Sequence, residues 1–264
     1  MGADSRIEWT RHTFNAWIGC SKVSAGCTHC YAESLAKRTG LTVWGNQGTR
    51  HVTSDAYWRQ PYKWAKAAAA LGERHRVFCN SLADVFEDRP ELAWPRHRLW
   101  QVILDTRHAL DWLLLTKRPE HLDMVPLSLA DSIWLGVSVE DRKNKARIDL
   151  LRERPAALRF LSLEPLLEDL GELDLTGISW CIIGGESGPG ARRCDVDWIR
   201  KIVWQCQAAS IPVFVKQLGA HVIENGERRI KRDKKGGDMD EWAHDIRVRE
   251  WPEAPNAKEC GDGI

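Results

Sequence analysis

No segment of this 264-residue chain carries 18 consecutive apolar residues, so none reads as a membrane span. The N-terminal stretch MGADSRIEWTRHTFNAW lacks an apolar run of signal-peptide length. Arg6 stands where an N-myristoylation signal carries Ser or Thr. A cytoplasmic protein with no membrane partner is the expectation. Charge of one sign is also lacking: 38 Lys plus Arg against 37 Asp plus Glu leave a net charge of +1. That argues against coating nucleic acid by bulk charge and leaves room only for a local basic patch. There is no internal repeat of fixed period. With 43% hydrophobic and 28% charged residues, disordered, collagen-like and coiled-coil chains are excluded. Phe and Tyr are few, at 5 and 3.

Two residue types are abundant instead, with 14 Trp and 8 Cys. In a reducing compartment eight Cys do not read as four disulfides. Clustered Cys there point to metal or redox chemistry, and scattered Cys to core filling.

Short apolar runs of strand length alternate with helical patterns. The predicted strands are Phe14 to Gly19, Arg76 to Asn80, Trp112 to Thr116, Ser132 to Ser138, Leu158 to Leu163, Ser179 to Gly184 and Pro212 to Lys216. Helices are expected at Cys27 to Arg38, 63 to 71, Ala93 to Thr106, from Pro119, at Arg142 to Arg152 and at Asp197 to Ala209. Such alternation requires a parallel sheet covered by helices. An open doubly wound sheet and a full or partial β/α barrel both satisfy it.

Polar residues gather directly after the strands. Asn80, Ser81 and Asp84 follow the second, Thr116, Lys117 and Arg118 the third, and Ser138, Glu140 and Asp141 the fourth. Glu164 follows the fifth, Glu186 and Ser187 the sixth, and Lys216 and Gln217 end the seventh. In parallel α/β folds the functional site forms at that edge, although helix caps and turns also concentrate polar residues there. Glu164 and Lys216 directly abut apolar strands and are the favoured candidates. A partly buried Lys216 requires a partner, with Glu164 or Glu186 the candidates.

Cys20, Cys27 and Cys30 cluster in GCSKVSAGCTHCYAE, with spacing C-x6-C-x2-C. Gly19 and Gly26 each precede a Cys and let the backbone pass close to a ligand. Thiolates suit zinc and iron–sulfur clusters. A structural zinc needs four ligands, so His29 or His12 would have to supply the fourth. Three Cys suit a [4Fe–4S] cluster with one open iron. The loop GGESGPGARR could bring backbone N–H groups to an anion, with Arg192 and Arg193 following. Cys79, Cys181 and Cys206 read as core, and Cys260 as incidental.

A three-Cys loop after the first strand of a β/α barrel resembles the radical S-adenosylmethionine (radical SAM) superfamily. The spacing departs from the usual C-x3-C-x2-C, and His29 holds the position of the usual aromatic residue. The ending CYA resembles the spore photoproduct lyase-like branch. IEWTRHTFNAWIGC, CTHCYAE, LLLTKRPEHL, WLGVSVED, RFLSLEPLL, WCIIGGESGPGARRCDVDWIR, FVKQLG and KKGGDMDEW together resemble a phage and prophage family of unknown function, the three-cysteine-motif family.

The resemblance implies a barrel over residues 1–223 with an insertion at about 40–75, and a polar extension over 224–264. It implies that Cys20, Cys27 and Cys30 ligate a [4Fe–4S] cluster. SAM would take the fourth iron, and its reductive cleavage would yield a 5′-deoxyadenosyl radical. The electron would come from a donor such as flavodoxin or ferredoxin. Asn80, Ser81, Ser138 and Glu140 are the candidates for holding SAM. Gly184 and Gly185 are further candidates, because GGE looks like the glycine-glycine-glutamate of that superfamily, although it follows the sixth strand here rather than the second. Glu164, Glu186, Lys216 and Cys194 are the catalytic candidates, Cys194 as a hydrogen-atom donor. Lys117, Arg118, Arg192 and Gln217 are the substrate contacts. A nucleotide or nucleic-acid substrate fits the phage setting, and the basic stretch Arg228 to Lys235 could hold phosphates. A metal-stapled, non-catalytic nucleic-acid-binding or partner-binding protein is the alternative.

Trp112, Trp134, Trp180, Trp198 and Trp204 read as core and helix packing. Trp17 is expected to shield the cluster. Trp44, Trp58 and Trp64 are expected to pack the insertion, with base stacking as the alternative.

Overall fold

The computed structural model describes residues 5 and 7–253. Met1, Gly2, Arg6 and Cys260 lie outside the described residues. Seven strands form one sheet: β1 (His12–Phe14), β2 (His75–Cys79), β3 (Leu110–Thr116), β4 (Ile133–Ser138), β5 (Leu158–Leu163), β6 (Trp180–Gly184) and β7 (Val213–Gln217). Every pairing is parallel, and the spatial order is the chain order. A doubly wound sheet reverses its strand order at a switch point. Here each strand joins the same growing edge, which is barrel winding. β1 and β7 each pair with one sheet neighbour, so the curled sheet is a half-barrel.

Among the described residues six α-helices accompany the sheet: α1 (Tyr31–Arg38), α2 (Asp55–Trp58), α3 (Gln60–Leu71), α4 (Ala93–Thr106), α5 (Arg147–Arg152) and α6 (Val196–Ala208). α3 opens with Pro61 in its first turn and stops at Gly72, whose φ of 65° places it in the left-handed region. α6 starts where the Asp195 side chain accepts the Asp197 N–H. The short helix expected from Pro119 is a 3-10 helix, Pro119–Met124, and a second 3-10 helix follows at Leu127–Ser132.

Strand periodicity gives the sheet two apolar faces. Val77, Trp112, Leu135, Leu161, Ile183 and Val215 belong to the core shared with the helices. Phe78, Leu113, Trp134, Phe160, Trp180 and Phe214 form a second cluster with Trp9. Trp180 is its centre, meeting Trp9, Trp134 and Phe214 edge-on at 6.2–6.3 Å. Gly136 is required here, since a Cβ would stand 2.4 Å from the Phe160 ring. The inner face is thus a filled aromatic layer, and open chemistry is confined to the strand ends above it.

Six of the seven strands fall within two residues of their predicted bounds. The first does not: the sheet strand is His12–Phe14, and Trp17–Ile18 instead pairs antiparallel with His51–Val52. His12 and Thr13 hide the strand from a hydrophobicity reading. His12 is buried because it stacks on Trp64 at 4.5 Å and meets His75 at 3.1 Å. The helix expected from Cys27 begins at Tyr31, with a separate 3-10 turn at Ala25–Cys27. Trp204 is 69% exposed rather than packed.

Beyond β7, His221–Glu224 pairs with Arg193–Asp195 and Glu227–Arg228. The chain then returns along the β7 edge, where the Val215 N–H donates to the Val248 carbonyl and the Glu250 N–H to the Val213 carbonyl. Among the described residues no helix is long and apolar enough to cross a membrane.

Candidate functional site

Cys20, Cys27 and Cys30 are partly exposed free thiols, whereas Cys79, Cys181, Cys194 and Cys206 are buried. The three lie on the connection leaving β1, which is tied to the sheet's C-terminal edge by the Gly19 N–H donating to the Leu82 carbonyl at 3.0 Å. Gly19 sits at φ +116°, and a Cβ there would stand 2.3 Å from the Val43 carbonyl oxygen. Only glycine suits that turn. Cys30 is the N-cap residue of α1.

Arg118, just past β3, is buried and faces Cys20. One guanidinium nitrogen donates to Cys20 Sγ at 3.6 Å and to Asp84 at 3.1 Å. The other donates to the Ser21 carbonyl at 2.8 Å and to Ser21 Oγ at 2.9 Å. Ser21 Oγ in turn donates to Glu87 at 2.6 Å. Arg50 grips Glu87 with two bonds of 2.6 and 2.7 Å. Burial raises the Glu87 carboxyl, but hydrogen bonds from Arg50 and Ser21 and both guanidinium charges outweigh it and hold the group below its usual range. Burial and the Asp84 charge, against the opposing pull of Arg118, push the Cys20 thiol up to about 12.

Two further carboxylates brace the cysteine loop. Glu140, past β4 and fully buried, accepts from the Ser24 hydroxyl and from the Gly26 N–H at 3.3 Å, and pairs with Arg147 at 2.8 Å. Glu186, past β6, meets His29 Nδ1 at 3.1 Å and accepts from Arg192 Nε at 2.9 Å. Arg192 also donates to the Ala25 carbonyl at 2.9 Å. Burial raises Glu186, yet the side-chain and backbone bonds from Arg192 and the bond to His29 bring it down to about 2.

Flanking β6, Lys216 in β7 donates to Glu164 past β5 at 2.9 Å, and Ser162 Oγ donates to the same carboxylate at 3.2 Å. Glu164 is therefore the partner of Lys216. Gly184 and Gly185 serve close packing: a Cβ on Gly184 would stand 2.6 Å from Glu164 Oε1, and one on Gly185 2.1 Å from the Leu218 carbonyl oxygen. Gln217 donates to the Gly185 carbonyl at 2.9 Å. Asn80 is buried at φ 56°; its Oδ1 accepts the Ala16 N–H at 2.8 Å. Among the described residues its Nδ2 has no partner. The Ser81 carbonyl accepts from the Tyr31 hydroxyl at 2.7 Å, and the Ser138 carbonyl from Arg147 at 2.8 Å. Lys117 is partly exposed and, among the described residues, makes no ion pair.

Cys194 is not brought to this group. It lies in the apolar core, where burial lifts its thiol to about 12. In the basic stretch, Arg229 pairs with Glu224 at 2.6 Å and Arg232 with Glu241 at 3.3 Å, while Lys231 folds onto the carbonyls of Ala220, Asp233 and Lys234.

Sequence reasoning missed Arg50, Glu87 and Arg147. Arg50 sits in a mixed segment with no strand before it, and its partner is 37 residues away. Arg147 had a usable signal, since it lies seven residues after Glu140 in the following helix pattern.

Among the described residues no three His, Cys, Asp or Glu side chains converge as ligands of a single ion. Thiolates of a four-iron cluster each bind a different iron and stand farther apart. His29 is engaged by Glu186, and His12 by His75 and Trp64. The soft donors lie outside the core, and Gly26 packs tightly enough to bring its loop against Glu140. This donor set fits such a cluster.

The family model "Protein of unknown function (DUF5131)" matches residues 4–247. No curated protein matches the chain. Among solved structures, a spore photoproduct lyase double mutant with bound AdoMet and dinucleoside spore photoproduct is similar at 13% identity and a TM-score of 0.48, covering 69% of this chain and 58% of that one. Spore photoproduct lyase complexed with dinucleoside spore photoproduct is similar at 12% identity and a TM-score of 0.46, covering 78% and 63%. The chain thus spans about three-fifths of the length of these structures.

Proposed function

From the premise that this chain belongs to the DUF5131 family of proteins of unknown function, we propose that it is a radical SAM enzyme. In this reading Cys20, Cys27 and Cys30 hold a [4Fe–4S] cluster, and SAM takes the remaining iron. One observation carries the reading. Of the described cysteines, these three alone escape the core, and they lie together on a loop held to the strand ends of a half-barrel by Arg118, Glu140 and Glu186.

The chemistry supplied by such a cluster is delivery of one electron to cleave SAM, from a donor such as flavodoxin or ferredoxin. The protein's own residues position and enclose. Glu140 and the Glu186–Arg192 pair hold the cysteine loop from two sides. The aromatic layer below closes the barrel floor to water. Glu164 and Lys216 form a polar pair at the ends of β5 and β7, suited to orienting a charged group of SAM or substrate.

Anaerobic reconstitution with iron and sulfide, followed by dithionite and SAM, tests the reading. A brown protein with about four irons per chain that releases 5′-deoxyadenosine is the expected result. Zinc in the purified protein with no brown chromophore, or a filled cluster that releases no deoxyadenosine, would overturn it.

A further inference from the structure

We infer that Arg118 is a positioning and tuning residue for the cluster: its guanidinium hydrogen-bonds the Cys20 thiolate and raises the reduction potential of the iron–sulfur centre. This rests on the reading that Cys20, Cys27 and Cys30 hold such a centre.

The geometry is specific to Cys20. Arg118 places one nitrogen 3.6 Å from its sulfur. Cys27 has only the Ser24 hydroxyl at 3.9 Å, and Cys30 has no side-chain donor among the described residues. One cation therefore addresses one of the three thiols.

The guanidinium is also locked. Asp84 holds the sulfur-facing nitrogen at 3.1 Å, and the Ser21 carbonyl and hydroxyl hold the other. Asp84 is itself fixed by the Thr116 hydroxyl at 2.8 Å and the Lys117 N–H at 3.2 Å. Ser21 is fixed by Glu87, and Glu87 by Arg50, whose side chain is fully buried. A planar fork with every neighbour constrained gives its hydrogen bonds with little further ordering.

The consequence is electrostatic. Adding an electron makes an iron–sulfur centre more negative, and an N–H donor with positive charge at a ligating sulfur favours that state. Asp84 and Glu87 offset part of the charge of Arg118 and Arg50, but the N–H vector remains aimed at the sulfur. In this role both terminal nitrogens of Arg118 are engaged by the cysteine loop and Asp84.

The test is a potentiometric titration, followed by electron paramagnetic resonance, of the reconstituted full chain beside Arg118→Gln and Arg118→Lys. Arg118→Gln is expected to shift the redox equilibrium roughly tenfold toward the oxidised state, about 59 mV lower for a one-electron couple. Arg118→Lys keeps the charge but cannot span Cys20 and Ser21 together, so its shift is smaller and of the same sign. Equal potentials in all three proteins at equal iron content would overturn the inference. Should either variant fail to fold, the wild-type protein labelled with 15N-arginine decides: a nitrogen coupling to the reduced cluster supports the inference, and its absence sinks it. A wild-type chain that binds no cluster overturns the functional reading itself, and the tuning role with it.

Discussion

The Glu140 carboxylate occupies the space that a side chain at Gly26 would need. A Cβ on Gly26 would stand 2.9 Å from Glu140 Cδ and Oε1, while the Gly26 N–H donates to that same oxygen at 3.3 Å. Close approach and hydrogen bond are one device, joining the cysteine loop to the end of β4.

Gly26→Ala should break that device. Glu140 cannot retreat easily, because Arg147 holds it in a fully buried site. Overpacking of this kind costs about 1–3 kcal/mol. The expected result is a lower urea midpoint and a severalfold lower iron content after reconstitution; unchanged iron content would show that the loop docks some other way.

The cysteines divide into two classes that substitution should separate. Cys20→Ser, Cys27→Ser and Cys30→Ser are expected to abolish iron binding while urea unfolding changes little, since all three lie outside the core. Cys181→Ser places a hydroxyl in the fully buried β6 and should cost about 1–3 kcal/mol with iron content unaltered. Iron assays on folded variants settle the division.

Trp180→Ala should be among the most destabilising single changes on the inner face. The ring is fully buried at the centre of four aromatic contacts. Truncating a buried Trp costs about 3–5 kcal/mol. Trp204→Ala, on a residue 69% exposed, should stay within about 0.5 kcal/mol. The difference in urea midpoints reads both.

Glu186 makes stability fall in acid. Its carboxyl is brought from an ordinary 4.5 down to about 2, so the folded protein binds its proton less readily than the unfolded chain. The contribution is present in full above the unfolded value and is lost as pH drops from about 4.5 toward about 2. Wild type should therefore exceed Glu186→Gln in stability by a constant margin near neutral pH. That margin should shrink below about pH 4.5. A margin that holds steady into acid would remove Glu186 from the account.

Sequence alone determined the parallel sheet, six of its strands and the singling out of the cysteine triplet. Those features are written locally: apolar runs such as LDWLLLT are buried on both faces, and the three thiols share one short segment. Hydrophobic periodicity left a barrel and a doubly wound sheet equally open, because it reports burial and not which strand lies beside which; the family resemblance implied a partial or full barrel, and the strand order shows a half-barrel. The partners of the cysteine loop were likewise decided in three dimensions. Arg118 reaches Cys20 across 98 residues, and Glu140 reaches Ser24 across 116. Charge pairing over such separations leaves no mark on local pattern. It arises when the strand ends are gathered at one edge, where burial makes each unpaired charge costly and so dictates its partner.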